Sequence, residues 1–411
     1  MAFSFREPLA SIRRIIRRPP VEEVVLPAPP PVPEPVVPRA FDPVLDHPLV
    51  LFLSMSTSNI CNFRCKFCHI WMNENPSNEL TTAQRIDVID QFARLSGPGG
   101  CVFPAGGEVT MDLDEIFALA GACRDRGLQC RIATNGSALV SPEIADRFVL
   151  SGLSSVTISL DSHHRELHDY TRGLKCFDET VNAIRLLVEA RNRHAAPMLV
   201  GAAAVIFDRN LDDLEDYIDY CRALNVDFAD FSLLGRTFAN HAKHGDPFFE
   251  KHFWWTPEAK QHAKETVERV IRHRAATPGV IGRSLDDIPW MHGYIDDPDF
   301  VLSDAVCGSH ERNLVVDTTG QVSLCFNASM IFEEPHIGNV KESTLFELWT
   351  GTKTEEYRSV MDECRLNCGA LGCHRKMDAK EWAPAAGIVA HSPSPDGSAA
   401  GSHGLPAAGS V

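Results

Sequence analysis

The stretch SNICNFRCKFCHIW, Ser58 to Trp71, places three cysteines within eight positions and a histidine directly after the third. Thiolates are soft ligands that select zinc, copper(I) or iron-sulfur clusters. A structural zinc ion takes four closed ligands, but the available fourth ligand, His69, adjoins Cys68 and would have to fold back onto the same metal. A [4Fe-4S] cube held by three thiolates keeps one iron free for a small molecule. Zinc binding and incidental cysteines remain the alternatives for Cys61, Cys65 and Cys68.

Around this stretch, short apolar runs alternate with longer segments of helical periodicity. The predicted strands are 49–56, 100–105, 129–135, 154–161, 197–206 and 226–234. The predicted helices are 82–95, 113–126, 142–150, 178–193 and 211–223, with Thr81 and Ser141 as N-caps. Strictly alternating strands and helices predict an α/β fold with a parallel sheet, and six such units predict a partial (β/α)6 TIM-like barrel.

Distinctive short motifs follow the predicted strands. The cysteines come after the first strand, GGE at 106–108 after the second, TNG at 134–136 after the third, and SLD at 159–161 ends the fourth. Because the carboxyl ends of parallel strands meet at one edge, we expect the functional site there. Asn135 within TNG is also typical of a simple turn.

CxxxCxxC with an aromatic residue, Phe67, before the third cysteine resembles the signature of radical S-adenosylmethionine (SAM) enzymes, and its place after the first strand strengthens the resemblance. The resemblance implies a [4Fe-4S] cluster on Cys61, Cys65 and Cys68 whose unique iron chelates the amino and carboxylate groups of SAM. One electron then cleaves SAM to methionine and a 5'-deoxyadenosyl radical, which abstracts a substrate hydrogen. The cofactors carry this chemistry, and the protein supplies placement and exclusion of water.

Two further segments resemble SAM-binding motifs of the same family. In the first, Gly106 and Gly107 would let the backbone approach the methionyl end of SAM, and Glu108 would accept from its amino group. The family commonly has proline where this chain has Val109, a difference that leaves the donors and acceptors intact. The GGE motif alone would also fit an ordinary turn.

The second segment, SLDSHHRELHDYTRG, is similar to the SLDG...D..RG segment of the family. The similarity implies that Ser159 and Arg172 lie near the ribose and carboxylate of SAM, with Asp161 shaping the site. A guanidinium suits a carboxylate because it pairs in a bidentate manner. The structural alternatives are a helix cap for Asp161 and a surface ion pair for Arg172.

A second set of cysteines begins with a predicted hairpin, CGSHERNLVVDTTGQVSLC, between Cys307 and Cys325. Its CX12GX4C spacing, with Gly320, and the IGNV...LFELW text resemble the SPASM or twitch extension of radical SAM enzymes. A full SPASM domain holds two clusters on seven or more cysteines, whereas this region has five. The resemblance therefore implies one auxiliary [4Fe-4S] cluster, which draws on Cys307, Cys325 and two of Cys364, Cys368 and Cys373. A zinc knuckle is the alternative.

The predicted domains are a basic segment and Pro-rich linker at 1–45, the barrel at 46–295, the small α+β auxiliary domain at 300–382 and a disordered tail at 383–411. Residues 3–18 could contact an anionic membrane surface or a partner weakly. The remaining cysteines behave as small buried hydrophobes; they are Cys101, Cys123, Cys130, Cys176 and Cys221. The HFWW run at 252–255 is interpreted as an aromatic core or lid contact, with substrate stacking as the alternative.

Composition narrows the function classes. A formal net charge of −16 argues against nucleic acid as a partner. No apolar run is long enough to cross a membrane, and the N-terminus does not resemble a secretory signal, so we expect a cytoplasmic protein. A reducing compartment makes metal or redox chemistry more plausible than a disulfide framework for its 13 cysteines.

We therefore predict a radical SAM oxidoreductase that acts on a small molecule, with a flavodoxin or ferredoxin as reductant. Maturation of a ribosomally made peptide is the alternative; the short Pro-rich N-terminus argues mildly against the added peptide-recognition domain that such maturases often carry. A zinc or iron-sulfur scaffold or sensor is the non-enzyme alternative. The GGE and SLD segments argue against it, because a scaffold has no use for a SAM pocket.

Overall fold

The computed structural model describes residues 51–97, 99–235, 246–276, 285–298 and 308–364. The predictions for the linker at 1–45 and the tail at 383–411 lie outside the described residues. In the described part of the chain, six strands run parallel to their neighbours in sequential order. These strands are β1 Phe52–Ser58, β2 Cys101–Gly106, β3 Gln129–Thr134, β4 Ser155–Ser159, β5 Leu199–Ile206 and β6 Phe228–Leu233.

Helices connect the strands, as the alternating pattern predicts. The helices up to β6 are α1 Thr82–Ser96, α2 Leu113–Asp125, α3 Pro142–Leu150, α4 Arg165–Arg172, α5 Phe177–His194 and α6 Leu214–Ala223. Three more follow β6: α7 Pro247–His252, α8 Pro257–Ala276 and α9 Ile288–Asp296. The α/β class with a mostly parallel sheet is thereby confirmed, and the bounds of the predicted elements differ from those observed by a few residues at most.

The C-terminal region extends the same sheet. Its elements are β7 Asn313–Val316, β8 Gln321–Ser323, β9 Gly338–Asn339, α10 Leu345–Thr350 and α11 Thr352–Met361. β7 pairs in parallel with β1, placing Leu314 beside Leu53, and β8 and β9 then continue antiparallel. The predicted hairpin is confirmed, because β7 and β8 are joined by a turn in which Gly320 has a φ of 95°. The domain boundaries stay predictions.

Helix starts follow the local sequence chemistry. The Thr81 hydroxyl accepts from the Gln84 amide while the Gln84 side chain accepts from the Thr81 amide, which makes a capping box before α1. Ser141 caps α3 in front of a proline in the first turn. Both predicted N-caps are confirmed, and each marks the residue after which its helix begins.

Buried apolar side chains fill the space between strands and helices. Leu53 and Met55 on one face of β1 are fully buried, and Ser54 on the other face is buried as well. In β4, Val156 and Ile158 are buried on one face and Ser155 on the other. Strands buried on both faces are typical of parallel sheets covered by helices. The carboxyl ends of β1 to β4 are therefore held rigidly at one edge of the sheet, and the loops that follow them inherit this placement.

The helices that were not predicted include α4 and α8. α4 is eight residues long, and the side chains that it buries include His168, Thr171 and Arg172, so its pattern lacks the apolar stripe of an ordinary surface helix. α8 does carry such a stripe, with Ala263, Val267 and other apolar residues buried at helical spacing, and the sequence contained the signal for it.

Candidate functional site

The loop from 59 to 71, the cysteine loop, follows β1 and carries the three cysteines. Phe63 and Phe67 are buried in the core beneath it, while Cys61 and Cys68 are half-buried and Cys65 is buried. Trp71 Nε1 donates to the carbonyl of Cys68 over 2.7 Å. The phenylalanines therefore anchor a loop that presents three thiols from one short segment.

Burial disfavours the charged form of these thiols. It raises the pKa of Cys61 to about 11 and that of Cys68 to about 12. Burial also raises the pKa of Cys65, and the positive charge of Arg172 offsets part of that rise. Metal ligation requires thiolates, so binding of a metal would expel protons here.

A set of three thiols in one loop fits an iron-sulfur cluster, whose irons prefer cysteine thiolates. Across the described ranges, no three His, Cys, Asp or Glu side chains come together as the ligands of a single metal ion do.

Among the described helices, none has the length and apolar character that a bilayer crossing demands.

The GGE motif after β2 lies directly against the start of the cysteine loop. The Gly107 amide donates to the carbonyl of Ser58 over 2.6 Å, and the Glu108 amide donates to that of Ile60 over 2.8 Å. A Cβ at Gly106 would lie 2.1 Å from the Ser58 oxygen, and one at Gly107 would lie 1.9 Å from the Ile60 oxygen. Both glycines are therefore required by the close approach of two backbones.

The carboxylate of Glu108 is buried and bonded to the protein. Its Oε1 accepts from the Thr110 amide at 3.0 Å, the Thr110 hydroxyl at 2.6 Å and the Thr134 hydroxyl at 2.5 Å. Its Oε2 accepts from the Asn135 amide at 2.7 Å. Glu108 thus joins the ends of β2 and β3, and the contact with the SAM amino group that the resemblance implies stays a prediction.

The TNG segment after β3 does more than turn the chain. Asn135 Oδ1 accepts from the Ser137 amide, as in an Asx-turn, while its Nδ2 donates to Asn62 Oδ1 over 2.9 Å. Asn62 in turn donates to the Ser137 hydroxyl over 2.8 Å. The interpretation of Asn135 as a simple turn former is incomplete, because its side chain also donates a hydrogen bond to Asn62 of the cysteine loop.

The SLD segment after β4 forms a buried ion pair with the end of α4. Arg172 Nε lies 2.7 Å from Asp161 Oδ2, and its Nη2 donates to Oδ1 over 2.8 Å. Both side chains are buried, so the alternative of a surface ion pair for Arg172 is wrong. The N-cap residue of α4 is His164, so the alternative of a helix cap for Asp161 is wrong as well. Ser159, the last residue of β4, is half-buried at the same sheet edge.

Arg172 also reaches the cysteine loop. Its Nη1 lies 3.9 Å from Cys65 Sγ, and its Cζ lies 5.4 Å from the ring centroid of Phe67. Burial alone lowers the pKa of Arg172, but Asp161 and Cys65 outweigh burial and raise that pKa above its ordinary value. A permanent positive charge therefore stands beside one of the three thiols, where it stabilises a thiolate.

The end of α4 closes the cysteine loop from a third side. The Lys66 amide donates to the carbonyl of Thr171 over 2.8 Å. Gly173 has a φ of 78°, and a Cβ there would lie 2.3 Å from the carbonyl oxygen of Arg64. The sequence reasoning missed Asn62, Thr171 and Gly173 as supporting residues, although each adjoins or lies within a motif that it singled out.

Of the auxiliary cysteines, the structure describes Cys325 and Cys364; Cys307, Cys368 and Cys373 lie outside the described residues. Cys325 follows β8 and Cys364 follows α11, and both are half-buried.

The segments around these two cysteines contact one short stretch. Ser309 Oγ donates to the carbonyl of Leu324 over 2.9 Å, and His310 Nε2 lies 3.0 Å from Asp362 Oδ1. Leu324, which adjoins Cys325, and Asp362, which lies two residues before Cys364, thus both contact 309–310.

The other five cysteines are buried, as expected for structural thiols; they are Cys101, Cys123, Cys130, Cys176 and Cys221. In the HFWW run, Phe253 and Trp254 are buried in the core, and only Trp255 is exposed. The interpretation of this run as aromatic core is confirmed for those two rings.

Two family models match this chain. Residues 55–221 match the model of the Radical SAM superfamily, and residues 307–369 match SPASM, described as an iron-sulfur cluster-binding domain. These matches cover the cysteine loop, the GGE and SLD segments and the hairpin. The two domains imply [4Fe-4S] clusters and SAM as cofactors.

Curated relatives resemble the chain at low identity. The AdoMet-dependent heme synthase of Methanosarcina barkeri is 24% identical over 75% of this chain and 84% of its own length. That of Nitratidesulfovibrio vulgaris is 26% identical over 80% and 86%. The mycofactocin maturase MftC of Mycolicibacterium smegmatis is 29% identical over 45% and 44%.

Solved structures share the fold. "Native anSMEcpe with bound AdoMet and Cp18Cys peptide" has a TM-score of 0.54 at 16% identity, over 75% of this chain and 82% of that one. "Crystal structure of Streptococcus suis SuiB bound to S-adenosylmethionine" has a TM-score of 0.56 at 16% identity, over 76% and 68%.

Replacement of Gly107 with Ala should displace the cysteine loop, because its Cβ would overlap the backbone of Ile60. We expect iron incorporation on anaerobic reconstitution to fall severely. Gly121→Ala is the matched control, since the nearest atom to a Cβ there is a flexible arginine tip at 3.8 Å, and an alanine suits helix α2. Equal iron content in the two variants would contradict the close-approach account.

Replacement of Glu108 with Gln should destabilise the metal-free protein. In either amide orientation, the new NH2 group faces a backbone donor, because the Thr110 and Asn135 amides bond to different carboxylate oxygens. The expected loss is roughly 1 to 3 kcal/mol of unfolding free energy, measured by urea denaturation against Glu189→Gln on the exposed face of α5. A carboxylate that served SAM alone would leave this stability unchanged.

Proposed function

The chain belongs to the radical SAM superfamily and carries a SPASM domain, and from this premise we propose that it is an oxidoreductase that cleaves SAM reductively. Cys61, Cys65 and Cys68 would hold the SAM-binding [4Fe-4S] cluster. When bound, the cluster and SAM supply a 5'-deoxyadenosyl radical that abstracts a hydrogen from the substrate. The observation that carries this proposal is the convergence of the GGE, TNG and SLD segments on one three-cysteine loop.

The residues of the chain would place and protect this chemistry. The ends of β2, β3 and α4 each bond to the cysteine loop, so the thiols have little freedom to rearrange. Arg172 would stabilise the thiolate of Cys65 by its charge. Ser159 lies at the same sheet edge and remains a candidate for the SAM ribose. Buried Phe63 and Phe67 exclude water from beneath the loop.

Glu108 and Asp161 would contribute as positioning residues. Each buried carboxylate joins strand ends: Glu108 bonds to the end of β3, and Asp161 Oδ1 accepts from the Val205 amide of β5 over 3.1 Å. Asp161 Oδ2 also accepts from the Thr171 hydroxyl over 2.8 Å. Rigid supports of this kind keep a reactive site in one geometry.

The auxiliary cluster would be held by Cys307, Cys325 and two of Cys364, Cys368 and Cys373. The contacts of 309–310 with Leu324 and Asp362 support a shared site for Cys325 and Cys364. Such a cluster would accept an electron from the substrate radical or help to position the substrate.

A small molecule is the substrate class that we favour. The similarity to two of the heme synthases spans 75 and 80% of this chain, whereas the similarity to the maturase MftC spans 45%. Peptide maturation is the second candidate, because the fold neighbours include SuiB, which was solved with its precursor peptide SuiA. A zinc or iron-sulfur scaffold without SAM chemistry is the outcome that the experiment below would reveal.

Replacement of Cys65 with Ala should abolish dithionite-dependent release of 5'-deoxyadenosine, because the cluster loses one of three ligands. Reconstituted wild type should bind about eight irons per chain, as two cubes require, and should release 5'-deoxyadenosine from SAM. Cys101→Ala, which removes a buried thiol from β2, is the matched control and should retain both properties. Stoichiometric zinc without SAM cleavage in wild type would refute the proposal.

Replacement of Cys325 with Ala tests the auxiliary cluster separately. Iron should fall from about eight to about four per chain, while 5'-deoxyadenosine release continues, because the three thiols of the cysteine loop are untouched. Iron quantification and the release assay on one preparation provide the measurement. Unchanged iron content would exclude Cys325 as a ligand.

A further inference from the structure

Three exposed cations lie on or beside the cysteine loop: Arg64, Lys66 and Arg209, which we name the basic rim. Arg64 and Lys66 flank Cys65 in sequence, and Arg209 follows β5. None of these three side chains has a role in the proposed cluster or SAM site. Their position beside a proposed cluster ligand raises the question of what they contact.

Lys66 and Arg209 share one aromatic ring. Lys66 Nζ lies 5.0 Å from the ring centroid of Tyr170, and Arg209 Cζ lies 4.9 Å from the same centroid. The Tyr170 hydroxyl is 3.0 Å from His252 Nε2, and His252 Nδ1 is 2.9 Å from Asp208 Oδ1. The hydrogen bonds from Tyr170 through His252 to Asp208 fix the orientation of the ring. The ring in turn attracts the positive charges of Lys66 and Arg209.

Arg64 places a third charge on the loop itself. Its Nη1 donates to the carbonyl of Cys61 over 2.7 Å and to that of Phe63 over 2.9 Å. Its Cζ lies 5.0 Å from the ring centroid of Trp71. The guanidinium is therefore held against the backbone that carries the first thiol.

The basic rim has no carboxylate partner within the described ranges, since its cations contact only rings and carbonyls. The nearby Asp208 is engaged by His252. Three other surface arginines of the barrel, Arg147, Arg193 and Arg269, each pair instead with an aspartate or glutamate. On a chain of formal charge −16, the rim is thus a local positive field.

We propose that the basic rim is the docking surface for a small acidic electron-transfer protein of the flavodoxin or ferredoxin type; this inference rests on the proposed function. Complexes of this class are small and weak, and charge complementarity sets their association rate. An acidic donor would be repelled by most of this chain and attracted at the rim. The rim therefore selects both the partner and its orientation.

The position of the rim suits delivery of an electron. Lys66 lies between Cys65 and Cys68 in sequence, so a protein bound at the rim contacts the segment that carries two of the thiols. In the proposed step, the donor is oxidised by one electron and the cluster on the three thiolates is reduced by one. At the rim itself no bond forms or breaks, and no proton moves.

The test uses the reconstituted full chain and an acidic bacterial flavodoxin as the probe. Direct binding is measured by calorimetry for wild type and for Lys66→Glu/Arg209→Glu, at low ionic strength and at about 0.5 M salt, where the Debye length is only a few ångströms. The double variant should bind at least roughly tenfold more weakly at low salt. The difference should disappear at high salt, because exposed charges are then screened.

The matched control is Arg94→Glu/Arg185→Glu, which changes the charge equally on exposed faces of α1 and α5 and should bind flavodoxin as wild type does. Two assays of 5'-deoxyadenosine release accompany the binding measurement. Flavodoxin-driven release should slow in Arg209→Glu, whereas dithionite-driven release should not, because Arg209 lies outside the cysteine loop and a small reductant needs no docking surface.

Several outcomes would overturn the docking proposal. Unchanged flavodoxin affinity in the rim variant would do so, as would equal weakening in the control. Loss of iron or of dithionite-driven release in Arg209→Glu would assign the rim to the cluster site itself. Wild type that fails to cleave SAM with dithionite would refute the proposed function, while the binding comparison would still decide the docking surface.

Discussion

The cysteine loop is held by backbones so close together that no side chain fits between them. At Gly106 and Gly107 the end of β2 touches the chain that leaves β1, and at Gly173 the end of α4 touches the loop on another side. Close-packed interiors transmit small displacements. The placement of the three thiols therefore depends on glycines, because a Cβ at these positions would overlap the neighbouring backbone.

Buried carboxylates complete this support. Glu108 collects donors from the ends of β2 and β3, and Asp161 holds Arg172 against Cys65. An unpaired buried carboxylate is costly, whereas a fully bonded one fixes the groups around it. The loops at this sheet edge are thus joined into one network, in which the SLD segment reaches the cysteine loop through Arg172.

The sequence predicts the strands of the barrel and most of the helices between them, but not the contacts that hold the cysteine loop. Alternating apolar and helical periods identified β1 to β6 and their helices, because buried parallel strands read as short apolar runs. α4 escaped, because it buries His168, Thr171 and Arg172 in place of apolar residues. The network of Glu108 could not be predicted either, since its donors come from two separate strand ends that only the folded sheet brings together. The parallel pairing of β7 with β1 was likewise invisible, because sheet neighbours distant in sequence leave no periodic signal.

In the proposed function, Cys61, Cys65 and Cys68 form a three-thiolate site that leaves one iron open to SAM. Electron paramagnetic resonance of the reconstituted, reduced protein, recorded with and without SAM, tests it most directly. We expect a [4Fe-4S] signal whose line shape changes when SAM is added, and the loss of that change in Cys65→Ala. A signal indifferent to SAM in wild type, or a change that survives in the variant, would contradict it.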